Sequence, residues 1–177
     1  MKNPPDKCLI DTNVPKVTIH ATQSSKHEEL PDNCIAACVE AIEHIVKNGI
    51  LVIDKRGEII SEYLKQLAKT EEPDLAREFM IWVINNQWNP AKIEQVSIEA
   101  KNNSFAEFPV HEGLNNFDPS DRKFIAVSNA HPDKPPILQA TDSKWWGWKD
   151  ALSEVGIDVC FLCPDYVKEK YSKKKKQ

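Results

Sequence analysis

A chain of 177 residues that is 41% hydrophobic and 28% charged has the size and composition of one folded domain, which excludes disorder throughout. Its net charge of −4, from 27 acidic and 23 basic residues, excludes an electrostatic sponge for nucleic acid, so binding of that kind needs a local basic patch. No window reaches the ~18 apolar residues of a membrane span, and the first residues lack the apolar core of a signal peptide.

In chain order, the first strand runs from Lys7 to Asp11, where the apolar Cys8-Leu9-Ile10 ends abruptly on a carboxylate. A polar span, "ATQSSKHEELPDN", leads to Asp32 or Asn33 as an N-cap. The helix "CIAACVEAIEHIVKNG" follows, with Ile35, Cys38, Ile42, Ile45 and Val46 at helical spacing and Asn48-Gly49 as its stop. "ILVID", residues 50–54, reads as a buried strand. "EIISEYLKQLAK" then reads as an amphipathic helix with Ile59, Tyr63, Leu64 and Leu67 inward. Residues 73–88 form a further helix opened by Pro73. Residues 91–109 carry Ile93, Val96 and Ile98 as a short strand or a loop insertion.

"FDPSDRKFIAVSNAH", residues 117–131, opens on a capping Asp-Pro-Ser and continues as a helix; "PPILQATDS" is a strand ending on Asp142. "WWGWKDALSEVG" is a helix and "IDVCFLCP" the last strand. Strands alternating with helices predict a three-layer α/β/α fold around a central, mostly parallel sheet, covered on both faces. Residues 1–165 make a single domain, and residues 166–177 a basic, disordered tail with four consecutive lysines before Gln177.

Five cysteines, an odd number, argue against a disulfide framework and for reduced thiols in a cytoplasmic protein. Cys34/Cys38 and Cys160/Cys163 together offer four sulfur ligands for zinc. Strand alternation, however, sends Cys160 and Cys163 to opposite faces, so small buried hydrophobes is the better reading.

Ligands of open α/β sheets bind beyond the carboxyl ends of the strands. Asp11 and Asp142 both end apolar runs there, each next to a threonine, Thr12 or Thr141. Asp121 lies in the first turn of its helix, and Glu62 in the helix after "ILVID". Four such carboxylates on one edge repel one another and raise their own pKa values, so a hard divalent cation, Mg²⁺ or Mn²⁺, is the natural neutraliser. Two such ions suit phosphodiester hydrolysis by activated water. Thr12 and Asn13 stand ready to support Asp11.

"CLIDTN", "EIISEYL", "DPSDRKFIAVSNA" and "LQATDSKW" occur in an order and spacing that resembles the PIN-domain nucleases, from about residue 7 to residue 164. In that family the first strand ends on Asp-Thr-Asn or Asp-Thr-Ser, as Asp11-Thr12-Asn13 does here. The resemblance assigns the helical glutamate to Glu62, with Glu58 one turn earlier as competitor, and the third and fourth acids to Asp121 and Asp142. It implies Mg²⁺- or Mn²⁺-dependent cleavage of RNA, with single-stranded DNA second. It also implies a toxin, defence or processing role, restrained in toxin members by an antitoxin, and often a homo-oligomer. The chain departs from the pattern in its long 91–109 segment and at Ser143, where some members carry another acid. Asp118 either fills that gap or caps the helix, and capping is favoured.

Arg122, Lys123 and Lys144 flank the acids and are candidates for substrate phosphates, an ordinary solvated helix face being the alternative. Trp145, Trp146 and Trp148 cluster beside Asp142. Trp145 or Trp146 is the candidate ring for stacking on bases, against the plainer role of anchoring the last helix in the core. With five glycines and no Gly-rich loop, P-loop and dinucleotide chemistry is excluded. Asn13 also argues against an aspartyl-phosphate phosphatase, which needs a second Asp at that place. The remaining alternative to a nuclease is the same fold with an inactive site, docking on RNA or a protein.

Overall fold

The structure is a computed structural model that describes residues 4–21, 30–68 and 74–175. Most of the polar span before the first long helix (22–29) and the helix-opening Pro73 lie outside the described residues. Strands β1 (Lys7–Ile10), β2 (Ile50–Asp54), β3 (Ile93–Val96), β6 (Ile137–Gln139) and β7 (Val159–Phe161) form one five-stranded sheet in the order β3-β2-β1-β6-β7. Every neighbouring pair is parallel. Between β3 and β6 lies a small antiparallel ribbon of β4 (Ala100–Lys101) and β5 (Ser104–Phe105), inside the segment that the sequence left open as strand or loop.

Seven α-helices surround the sheet among the described residues: α1 (Asn13–Thr18), α2 (Asp32–Lys47), α3 (Glu58–Leu67), α4 (Leu75–Asn86), α5 (Arg122–Ala130), α6 (Lys144–Glu154) and α7 (Pro164–Lys174). The architecture is the expected three-layer α/β/α arrangement. The central strands are buried on both faces, which is why "CLI", "LVI" and "IL" read as continuous apolar runs rather than alternating ones. Along α2, Cys34, Ala37, Cys38, Ala41, Ile42 and Ile45 are buried at helical spacing, whereas Ile35 and Val46 are half-buried against the core.

Besides the N-cap of α2, which is Pro31 rather than Asp32 or Asn33, four local expectations change. Helix α1 has no counterpart in the sequence reading, because "NVPKVT" combines β-branched residues with a proline. Pro15 is tolerated in the first turn, where its missing N–H would be unpaired in any case, and burial of Val14 and Val17 holds the helix in place. Leu64, expected inward, is 43% exposed; the buried face of α3 is Ile59, Tyr63 and Leu67. The expected disordered tail from residue 166 is instead helix α7 as far as Lys174, anchored by the fully buried Val167.

The fourth change concerns sulfur. Cys34 and Cys163 form a disulfide that closes 129 residues of chain, against the expectation of reduced thiols throughout. Cys163 is not in a strand at all: β7 stops at Phe161, and Cys163 is the N-cap residue of α7, turned towards α2.

Strand order fixes where a site can form. From β1 the chain builds outwards through β2 to β3, then crosses back to place β6 on the other side of β1 and β7 beyond it. The direction of winding therefore reverses between β1 and β6. Helical connections diverge at such a switch point and leave a crevice beyond the carboxyl ends of the two strands.

Candidate active site

Asp11 is the first residue beyond β1, and the register Leu9↔Ile137 and Ile10↔Leu138 puts it level with the end of β6. Its backbone N–H donates to the Leu138 carbonyl at 3.0 Å. The side chain is buried, and Oδ1 accepts the Asn13 N–H at 2.9 Å. Asn13 also spans the crevice: its Oδ1 accepts from the backbone N–H of Ala140 at 2.8 Å and of Thr141 at 3.4 Å, the loop that leads to Asp142. Thr12 reaches elsewhere, donating its hydroxyl to Glu62 Oε1 at 2.5 Å. The tripeptide Asp11-Thr12-Asn13 thus ties together three parts of the fold, α3 included.

Of the two glutamates, Glu62 is the one whose charge acts on Asp11. Glu58, its competitor, is exposed, and its backbone N–H is taken up by the Asp54 carboxylate at the helix start. The second oxygen of Glu62 pairs with Lys123 Nζ at 2.5 Å, in a bridge whose side chains are only 20% and 11% exposed. Lys123 Nζ also donates to the Ser120 carbonyl. Both oxygens of Glu62 are therefore engaged by protein groups. Lys123, a candidate for substrate phosphates, is instead an internal counter-ion, because its position in the first turn of α5 faces α3 rather than solvent.

Asp121 stands at the N-cap position of α5 without capping it. Its Oδ2 accepts the indole N–H of Trp145 at 3.0 Å, and Oδ1 the Ser120 hydroxyl at 3.2 Å. Trp145 is fully buried and packs edge-on against Phe117 with ring centroids 5.1 Å apart, so it is no surface stacking ring. Its one polar atom is the hydrogen bond to the acid, the usual way a buried indole is satisfied. Trp146 and Trp148 are half-buried against Phe161 and Phe117.

Asp142 follows β6; its N–H donates to Gln139 Oε1 at 3.2 Å, and its Oδ1 accepts the Lys144 N–H at 2.9 Å. Asp118 does not cap α5: its Oδ1 accepts from the Ser120 N–H and hydroxyl in the turn before the helix, while Oδ2 pairs with Lys144 at 3.0 Å. Those contacts with Ser120 and Lys144 hold the Asp118 carboxyl below the usual range. Arg122, the third basic candidate, spends its guanidinium on the carbonyls of Asn115 and Phe117 and lies over the Phe108 ring, which makes it a brace for the preceding loop. Of the three, Lys144 is the exposed one, and it pairs with Asp118.

The four acids feel one another. Burial first, and then the charges of Asp121, Glu62 and Asp142, push the Asp11 carboxyl well above its ordinary range; only the Asn13 hydrogen bond opposes this. Asp121 is raised by burial and by Asp118, Asp142 and Glu62, against the Trp145 hydrogen bond. Asp11 and Asp121, neither of which forms an ion pair among the described residues, disfavour their own ionised forms unless a cation joins them.

Those oxygens are nonetheless not drawn into a tight cage. Among the described residues, the only set of three or more His, Cys, Asp or Glu side chains with ligand atoms all within 4.8 Å of one another is Cys34, Cys38 and Cys163. A wider all-oxygen donor set suits Mg²⁺ or Mn²⁺, since Mg²⁺ usually keeps several waters. Two buried atoms beside Asp142 add to the fit. Gln139 Nε2 and Ser143 Oγ lack a hydrogen-bond partner among the described residues, the condition of groups that await an ordered water or a substrate oxygen.

Sequence reasoning passed over Asp54, Tyr63 and Gln139. Asp54 ends "ILVID" much as Asp11 ends "CLID", yet both of its oxygens accept from the first turn of α3, Glu58 and Ile59, at 2.9 Å. It sets α3, and thereby Glu62, in place. Tyr63 donates its hydroxyl to the Ile10 carbonyl at 2.5 Å, fixing α3 against the end of β1. No family model, curated protein or solved structure matches the chain.

Proposed function

We propose that the chain is a Mg²⁺- or Mn²⁺-dependent phosphodiester hydrolase, an endonuclease of PIN type that prefers RNA to DNA. The observation that carries the reading is Asp11 at the switch point of a parallel sheet, its carboxyl raised first by burial and then by three further carboxylates at the same crevice. Asp11, Asp121 and Asp142 hold the cations. A bound divalent ion supplies Lewis-acid polarisation of the phosphoryl group and a hydrolytic nucleophile at neutral pH. Asn13 fixes Asp11 relative to the Asp142 loop, and Trp145 orients Asp121. Glu62, neutralised by Lys123 and Thr12, supports the edge of the site and orients water rather than adding a free charge. Lys144 at the rim meets substrate phosphate. Among the described residues no nucleophile–base pair stands at the acids, which favours direct attack by water over a covalent enzyme intermediate.

A toxin or phage-defence effector in the cytoplasm, restrained by a small partner protein, is the setting this chemistry suits. The decisive assay incubates labelled single-stranded RNA and DNA with the protein in Mn²⁺ or EDTA. Cleavage in Mn²⁺ that vanishes with EDTA and in Asp11→Asn supports the reading; equal cleavage by that variant overturns it. A second reading, an inactive fold that binds RNA or protein, is favoured by one feature: both Glu62 oxygens are already occupied. Titration separates the two, because a working site gains about 2.7 kcal/mol of stability at a Mn²⁺ concentration 100 times its Kd, and a vestigial one gains none.

A further inference from the structure

Three sulfurs from two distant helices meet at the opposite extreme of cation chemistry from the carboxylates. Cys34 and Cys38 stand four residues apart on α2 and so share one face, and Cys163 is the residue before α7. All three are buried, and their Sγ atoms lie within 4.8 Å of one another. The Cys34–Cys163 disulfide uses two of them and leaves the third thiol, Cys38, unexplained at ligand distance. We propose that the reduced protein binds one Zn²⁺ through Cys34, Cys38 and Cys163, and that this ion replaces the disulfide as the link between α2 and α7.

Tetrahedral zinc–thiolate bonds of ~2.3 Å set sulfurs about 3.8 Å apart, so once Cys34 and Cys163 separate the cluster has the right size. Cys34 lies in the first turn of α2 and Cys163 caps α7, and helix N-termini favour the thiolate, the form that binds metal. Three thiolates select a soft ion such as Zn²⁺ over Mg²⁺ or Mn²⁺. A cavity of about 140 Å³, lined by Cys34 and Cys163 among others, leaves the fourth position to water. Burial pushes the Cys38 thiol up to about 12, so without the ion it stays protonated and inert.

The chemistry balances with a dithiol as reductant. Two of its thiols convert the Cys34–Cys163 bond into two thiols and become a disulfide themselves. Zn²⁺ then displaces three protons from the three cysteines. A small-molecule disulfide reverses the sequence by thiol–disulfide exchange: it takes two electrons and two protons to become two thiols, the Cys34–Cys163 bond closes, Cys38 regains its proton and the ion leaves.

The test uses the full chain, reduced with dithiothreitol and freed of it without oxygen, then titrated with Co²⁺ as a coloured substitute for Zn²⁺. One Co²⁺ per chain is expected, with a sulfur-to-cobalt charge-transfer band that Zn²⁺ abolishes. Cys38→Ala leaves the disulfide intact, so its oxidised form reports folding by circular dichroism. Its reduced form is expected to lose more affinity than the roughly 10–100-fold that outer partners of a metal site contribute. A reduced parent with no charge-transfer band, or a band unchanged in Cys38→Ala, overturns the proposal. Mn²⁺ at the carboxylates produces no such band, so neither result bears on the nuclease reading.

Discussion

The buried bridge between Lys123 and Glu62 offers the sharpest test of how the acidic crevice is held together. Lys123→Met keeps most of the side-chain volume but removes the ammonium 2.5 Å from Glu62 Oε2. The carboxylate then keeps only the Thr12 hydroxyl, in a place where its side chain is 20% exposed and three aspartates lie nearby. Breaking a buried pair from one side costs about 3–5 kcal/mol, and residual exposure puts this one near the lower end, about 3 kcal/mol. For a chain of this length each kcal/mol moves Tm by roughly 2–4 °C, so a drop of about 6–12 °C is expected. Adding Glu62→Gln removes the stranded charge and restores most of that loss, giving a coupling energy of about 2 kcal/mol in a double-mutant cycle. Urea unfolding of the parent, both single variants and the double variant, in EDTA at pH 7.5, measures it. Lys123→Met within about 0.5 kcal/mol of the parent, or no rescue by Glu62→Gln, refutes the argument that the lysine is an internal counter-ion.

Asp11→Asn tests the repulsion directly. The folded state raises the Asp11 carboxyl, so its contribution is full below the unfolded value of about 3.9 and is lost as pH rises through the higher folded value. The variant is therefore expected to be more stable than the parent at pH 7.5 without metal, to show a flatter Tm from pH 5 to 8, and to lose all cleavage; a lower Tm at pH 7.5 contradicts this. Trp145→Phe deletes the indole bond to Asp121 and is expected to cost about 2 kcal/mol. With the bond that lowers Asp121 gone, proton competition strengthens, so thermal stabilisation by Mn²⁺ weakens more at pH 6 than at pH 8. Asn13→Ala unpairs the Ala140 N–H, and faster hydrogen exchange at that amide is the expected signature, with a loss of about 1–2 kcal/mol.

Periodicity alone was enough for the layered fold. Apolar runs buried on both faces and helices with one apolar stripe are local patterns, and the right-handed parallel connection leaves few ways to assemble them. The same reading singled out Asp11 and Asp142, since a carboxylate ending an apolar run stands out against its neighbours, and Asp121 from its place at a helix start. It had no means of separating Asp11 from Asp54. Both end a strand, and only the path of the chain afterwards aims one at a crevice and the other at two amides of the next helix. The roles of Lys123, Arg122 and Trp145 also depended on tertiary structure, because whether a basic or aromatic side chain meets solvent, a carbonyl or a carboxylate is set by elements far away in sequence. Cys34 and Cys163 show the limit most plainly. A link spanning 129 residues leaves no periodic trace, and it arises because two helix starts converge in space.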